Sequence, residues 1–272
     1  MSAASRLRVV TLNIAHGRGL SAYQGFHSYK GILRSLKRVA HLLGKVDAEI
    51  VALQEVDEDS HWNQHIHLLD ELQELTECPH AYLGVHNYRE GKLPLSYGNG
   101  LLSKLDIRHA EHKAFGRASL GEKGFMCAEL ETPDGILPVV NLHLDFRSRL
   151  RRVEQVEKLI QFLNDKKYFS ENSPHLSPIV CGDFNSRSGR LGDAVCHLFK
   201  YLKDQCAYQL YPRGKGSRTF PSLMPMLRLD FIFVPPCFYV QSCEVLGSYV
   251  SDHRPVVIDL VVMRDRGIEG TL

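Results

Sequence analysis

Residues 178–186 read PIVCGDFNS. Apolar Ile179, Val180 and Cys181 mark a buried strand, Gly182 lets the backbone bend, and Asp183 and Asn185 follow two residues apart. In extended chain, positions i and i+2 face the same side, so a carboxylate and a carboxamide are presented to one point. Junctions of this kind, from strand to loop, are where α/β proteins keep reactive groups. Gly, Asp, Asn and Ser are also ordinary turn residues. The stretch therefore signals a site only if other strands finish in the same way.

Working outward, they do. Residues 8–14 (RVVTLNI) form a β-branched run delivering Asn13, and residues 49–53 (EIVAL) deliver Gln54 and Glu55. Residues 125–130 and 136–144 predict two strands joined by a Pro-Asp-Gly turn, the second ending in His143, Leu144 and Asp145 with Arg147 close behind. Residues 227–234 (LRLDFIFV) carry Asp230, and Ser251, Asp252 and His253 lead into the strand at 255–262 (PVVIDLVV). The turn Tyr97-Gly98-Asn99-Gly100 opens another strand, and further strands are expected at 81–85 and 237–246, with residues 86–97 as a loop. Between the strands, helical spacing of apolar residues predicts amphipathic helices over 32–43, stopped by Gly44, and over 150–163, with shorter ones at 66–75 and 192–202. The polar, Gly-containing loop that follows His16, Gly17, Arg18 and Gly19 and runs to Gly31 is a candidate mobile lip over the site, and His61, His65 and His67 are read as surface histidines.

A buried carboxylate costs several kcal/mol unless it is paired or bound to a cation. Carboxylates at separate strand ends are best explained by one shared cation in one polar pocket. Oxygen donors without thiolates select a hard ion, Mg²⁺ or Mn²⁺, over zinc. Such an ion, with imidazoles beside it, suits attack of water on a phosphate ester. Trp62 and Tyr88 are candidates either to stack on a substrate or to cover the core edge.

The chain of 272 residues is read as one domain spanning 1–272, with an ordinary globular composition. Its net charge of +2 makes nucleic acid a possible partner without requiring one. No apolar run is long enough to span a bilayer, and residues 1–8 lack the apolar core of a secretory signal. The seven cysteines are odd in number and form no CxxC pair, which points to core residues in a reducing, cytoplasmic compartment. A monomer is expected.

Taken together, TLN at 11–13, QE at 54–55, HLD at 143–145, GDFN at 182–185, LDFIF at 229–233 and SDH at 251–253 resemble the endonuclease/exonuclease/phosphatase superfamily, motif by motif and in order. The resemblance implies a four-layer α/β/β/α sandwich, two packed mixed sheets with helices outside, as in DNase I. It further implies Glu55 as principal metal ligand with Asn13 and Asp252 beside it, Asp183 orienting or deprotonating the water, and Asn185 helping to hold it. His143 and His253 would contact the scissile phosphate, Asp230 would pair with His253, Asn99 would face the pocket, and Arg147 would bind substrate. HLDFR is more similar to the small bacterial-type phosphodiesterases of the superfamily than to its abasic-site endonucleases. The expected function is a Mg²⁺- or Mn²⁺-dependent phosphoesterase acting on a phosphate-ester substrate. The alternative is a nuclease with Arg147, Arg149, Arg151, Arg152, Arg213, Lys215 and Arg218 flanking a groove, and a third reading is a non-catalytic binding module on the same scaffold.

Overall fold

Alternation along the strands sets the layers. The computed structural model describes residues 6–21, 23–25, 27–116, 121–170, 173–187 and 192–263. Its elements in chain order are β1 (Arg6–Asn13), α1 (Tyr29–Val46), β2 (Ile50–Asp57), α2 (Leu68–Thr76), β3 (His80–Arg89), β4 (Leu95–Ser103), β5 (Ile107–Ala114), β6 (Gly124–Thr132), β7 (Gly135–His143), α3 (Arg149–Asp165), β8 (Ile179–Asp183), α4 (Ala194–Cys206), β9 (Gln209–Tyr211), β10 (Asp230–Val234), β11 (Phe238–Val245) and β12 (Val256–Val262). They build two six-stranded sheets, ordered β11-β12-β1-β2-β4-β3 and β5-β6-β7-β8-β10-β9. Each is mixed: β1 runs parallel to β2, and β7 parallel to β8, among antiparallel neighbours.

Val9, Ile50, Ala52, Met126, Val139, Cys181, Ile232 and Ile258 pack together between the sheets. Their neighbours in sequence face the other way. Val10, Leu12, Val51 and Leu53 meet Ile32, Leu36 and Val39 of α1 and Leu68 and Leu72 of α2. On the second sheet Cys127, Val140, Val180, Phe231 and Phe233 meet Val156 and Leu159 of α3 and Leu198 and Leu202 of α4. Period-two alternation with apolar residues on both faces is what a sheet buried on both sides requires. The result is the expected four-layer α/β/β/α sandwich.

Three local expectations are corrected. Helix α1 runs through Gly44 and stops at Asp47, left-handed at φ 54° with its N–H on Leu43 O. Burial of Leu43 outweighs the ~1 kcal/mol that a mid-helix glycine costs. The predicted loop from residue 86 begins as strand: β3 continues to Arg89, which pairs with Leu95 of β4 in a hairpin. Edge strands β5 and β9 had no signal in the sequence, β5 because its residues are mostly polar and exposed.

Candidate active site

Strand register gathers the polar strand ends. Parallel pairing sets Asn13 beside Gln54 on one sheet and His143 beside Asp183 on the other, and antiparallel pairing sets Asp230 across from Asp183. The two sheets meet at this end, where Asn13 Nδ2 donates to Asp183 Oδ2 at 3.1 Å. A cleft of about 600 Å³ opens there, and Asn13, Glu55, His143, Asp183, Asn185, Asp252 and His253 all line it. Arg147, the predicted substrate contact, lines it too, with its guanidinium over the Phe146 ring.

Backbone geometry aims several of these side chains. Glu55 has φ 55° at a bulge in β2, where pairing with β4 skips between Gln54 and Val56. The bulge turns one carboxylate out of the strand's alternation and into the cleft. Asn185 at φ 47°, and Ala15 and His16 at φ 50° and 53°, are left-handed as well. Such conformations cost about 1–3 kcal/mol each outside glycine and gather where a site demands them. Gly182, at φ 138°, lies so close to β7 that a Cβ would collide with Leu142 O.

The charges form two linked groups. In the first, His253 Nδ1 lies 2.9 Å from Asp230 Oδ2, and Nε2 lies 3.7 Å from Asp183 Oδ2. Burial disfavours the charged ring, but Asp230 and Asp183 outweigh it and raise the His253 pKa. Burial raises the Asp183 carboxyl, opposed by His253 and reinforced by Asp230. Ligand atoms of Asp183, Asp230 and His253 all lie within 4.8 Å of one another. Both Asp230 oxygens are nevertheless engaged by His253 Nδ1, so this trio is a carboxylate–imidazole–carboxylate chain. In the second group, Glu55 Oε1 lies 3.4 Å from Lys123 Nζ and Oε2 lies 3.6 Å from His16 Nε2. Burial pushes the Glu55 carboxyl up, but His16, Lys123 and His143 hold it well below the usual carboxylate range. Burial and Lys123 hold the His143 ring far below its ordinary pKa, so it is neutral.

The chemistry of the donors suits a hard divalent cation. Glu55, Asp252 and the Asn13 carboxamide offer oxygens at the cleft, and no cysteine lines it. Asp252 is also paired with Arg18 at 2.7 Å, and Asn13 Oδ1 accepts from Ala15 N at 2.9 Å.

One expectation fails outright. Asn99 is fully buried between the sheets, its Nδ2 donating to Gly124 O and Asn141 O, and it does not line the cleft. It belongs to a polar seam with Gln54, whose Nε2 donates to Asn141 Oδ1 at 2.7 Å. Arg152 lines the cleft, but its guanidinium is buried and held by Asp193. His16 is buried, with Nδ1 2.7 Å from Asp57 Oδ2. Trp62 supports it from behind, donating to Asp57 Oδ1 at 2.8 Å, whereas Tyr88 is exposed and bonds Glu90. Lys123, Arg18 and Arg187 line the cleft without having been singled out. Lys123 sits just before Gly124, the register partner of His143, a signal visible only once β6 and β7 are paired.

The sequence model of the endonuclease/exonuclease/phosphatase family matches residues 10–253. The uncharacterized protein YbhP of Escherichia coli is 27% identical over 268 residues, covering 93% of this chain and 95% of that one. A crystal structure of an endonuclease/exonuclease/phosphatase family protein from Bacteroides thetaiotaomicron superposes with a TM-score of 0.72 at 16% identity, covering 96% of this chain and 99% of that chain. A mannosyl-6-phosphatase of the same organism gives 0.67 at 19% identity, covering 94% and 99%. Truncated Caenorhabditis elegans TDP2 gives 0.62 at 17% identity, covering 94% and 98%. With the family match running from β1 through His253, the chain belongs to the endonuclease/exonuclease/phosphatase family.

Proposed function

We propose that the protein is a Mg²⁺- or Mn²⁺-dependent phosphoesterase that hydrolyses a phosphate ester by attack of water. The observation that carries this reading is the convergence of Glu55, Asp183, Asn185, His143 and His253, from separate strand ends, on a single cleft. Family membership supports the reaction class. Glu55, kept ionised by its cationic neighbours, would hold the cation together with Asn13 and Asp252. When bound, the ion neutralises phosphate charge and polarises the ester.

The remaining steps belong to the side chains. Asp183, its proton affinity raised by burial, takes a proton from the attacking water while Asn13 fixes its orientation. Asn185 donates to Leu144 O at 3.0 Å, which holds its carboxamide against the His143 ring and beside the water. His253, kept charged by Asp230, stabilises negative charge developing on the phosphate oxygens. Neutral His143, with Lys123 Nζ 3.2 Å from its Nδ1, turns Nε2 toward Asp183 at 3.4 Å and contacts the phosphate from the other side. Arg147 and Arg187 supply positive charge at the cleft. The seven cysteines, all free, support a reducing compartment.

Turnover of a soluble chromogenic phosphodiester and of phosphomonoesters, with Mg²⁺, with Mn²⁺ and with EDTA, tests the reading. EDTA, Glu55→Gln and Asp183→Asn are each expected to lower kcat by about a hundredfold or more. Full activity in any of the three overturns it. Arg147 and Arg187 at the cleft also favour a second reading, a nuclease. Nicking of supercoiled plasmid that outpaces every small ester would establish that reading instead.

A further inference from the structure

Residues 219–227 leave the site as a tight hairpin. Thr219 N and Phe220 N donate to Leu227 O, and Met226 N and Leu227 N donate back to Phe220 O. Its base is tied to the loop that carries Asp252 and His253. Ser222 N donates to Asp252 O at 2.7 Å, Ser222 Oγ to Ser251 O at 2.6 Å, and Arg254 Nε to Ser222 O at 2.8 Å. Phe220 and Leu227 line the cleft, and beyond them the tip holds Leu223, Met224 and Met226 at 65%, 68% and 58% exposure. The base is clamped, and these tip side chains stand out into solvent.

A second observation adjoins the first. A hollow of about 660 Å³ is lined by Lys215, Arg218 and Arg254, with Pro225 of the tip as part of its wall. An apolar prong and a cationic hollow therefore share one boundary beside the mouth of the cleft. Among the described residues no helix is long and apolar enough to cross a membrane.

We propose that this hairpin docks the protein on the surface of an anionic phospholipid bilayer. Leu223, Met224 and Met226 enter the acyl region, and Lys215, Arg218 and Arg254 meet lipid phosphates. The cleft then opens toward the headgroup layer. The use of the docked cleft rests on the phosphoesterase reading, but the docking itself does not. A protein partner would require a face of roughly 20–30 residues, far more than this tip presents. A nucleic acid backbone would reward the cations and leave the apolar tip in water.

Co-sedimentation of the full chain with vesicles of phosphatidylcholine, alone or doped with phosphatidylserine, tests the proposal. Binding is expected to the doped vesicles, to weaken with added salt, and to fall at least tenfold in a Leu223→Ser/Met224→Ser/Met226→Ser variant. The Lys215→Ala/Arg218→Ala variant is expected to bind doped vesicles no better than phosphatidylcholine alone. The apolar variant should keep its melting temperature and its turnover of a soluble phosphodiester, which separates lost docking from lost folding. Failure of the wild-type chain to sediment, undiminished binding by the apolar variant, or tighter binding to a duplex oligonucleotide than to doped vesicles would each overturn it. If vesicle binding follows the tip while no phosphate ester is turned over, docking stands and the phosphoesterase reading falls.

Discussion

At the residue scale, Gly182 shows why the GDFN stretch has the composition it has. Its φ of 138°, and a Leu142 carbonyl oxygen that occupies the space a Cβ would need, leave no room for any side chain. That close approach lets Asp183 leave β8 while still paired to His143. Gly182→Ala must both adopt a strained backbone and force β7 away from β8. It is expected to lose about 3 kcal/mol or more of stability in urea unfolding, and an unchanged unfolding midpoint would contradict the close approach. Asp57 acts one step behind the cleft, bonding both His16 and Trp62, and so fixes the ring that faces Glu55.

At the scale of elements, the start of α3 and the start of α4 are joined by one buried ion pair. Arg152 Nε and Nη2 donate to Asp193 Oδ1 and Oδ2 at 3.0 and 2.9 Å, and Arg152 Nη1 donates to Asp145 O at 3.1 Å. Asp193 also caps α4, accepting from Ala194 N at 2.8 Å. Asp145, in turn, accepts from Arg147 N and Ser148 N and so shapes the turn into α3. The turn that follows β7 and Asp193 at the start of α4 are thereby held together. Asp193→Ala strands a buried guanidinium and uncaps a helix. It is expected to cost about 3–5 kcal/mol, read from urea unfolding, with partial recovery in Arg152→Met/Asp193→Ala, where no unpaired charge is left.

At the scale of the molecule, the first and last described strands pair side by side in the interior of the first sheet. Arg8 of β1 and Asp259 of β12 are register partners, and Arg8 Nε donates to Asp259 Oδ1 at 2.7 Å across 251 residues of sequence. Arg8 and its neighbours hold the Asp259 carboxyl well below the usual carboxylate range, with the Arg8 hydrogen bond as the largest cause. A carboxyl depressed in the folded state contributes stability that is complete above its unfolded pKa, about 3.9, and is lost as pH falls through the folded value. Asp259→Asn is therefore expected to be less stable than wild type by about 1–2 kcal/mol at neutral pH. The gap should persist down to about pH 5 and narrow only below about pH 4, as urea unfolding across that range would show.

The succession of strands and amphipathic helices and the inventory of polar strand ends were already present in the sequence, because apolar spacing and residue chemistry are local properties, while the four-layer order came with the family resemblance. Asn13, Glu55, His143, Asp183, Asp230 and His253 could be named as members of one set from the strands that carry them. Register decided the rest. It placed Asn99 inside the seam with Gln54 and Asn141 and brought Lys123 against Glu55 and His143, while the packing of α3 against α4 buried Arg152 against Asp193. No local pattern encodes those meetings, since each depends on which residue of one element stands opposite which residue of another. The bulge at Glu55 and the clamped hairpin at 219–227 are of the same kind, products of pairing between segments far apart in the chain.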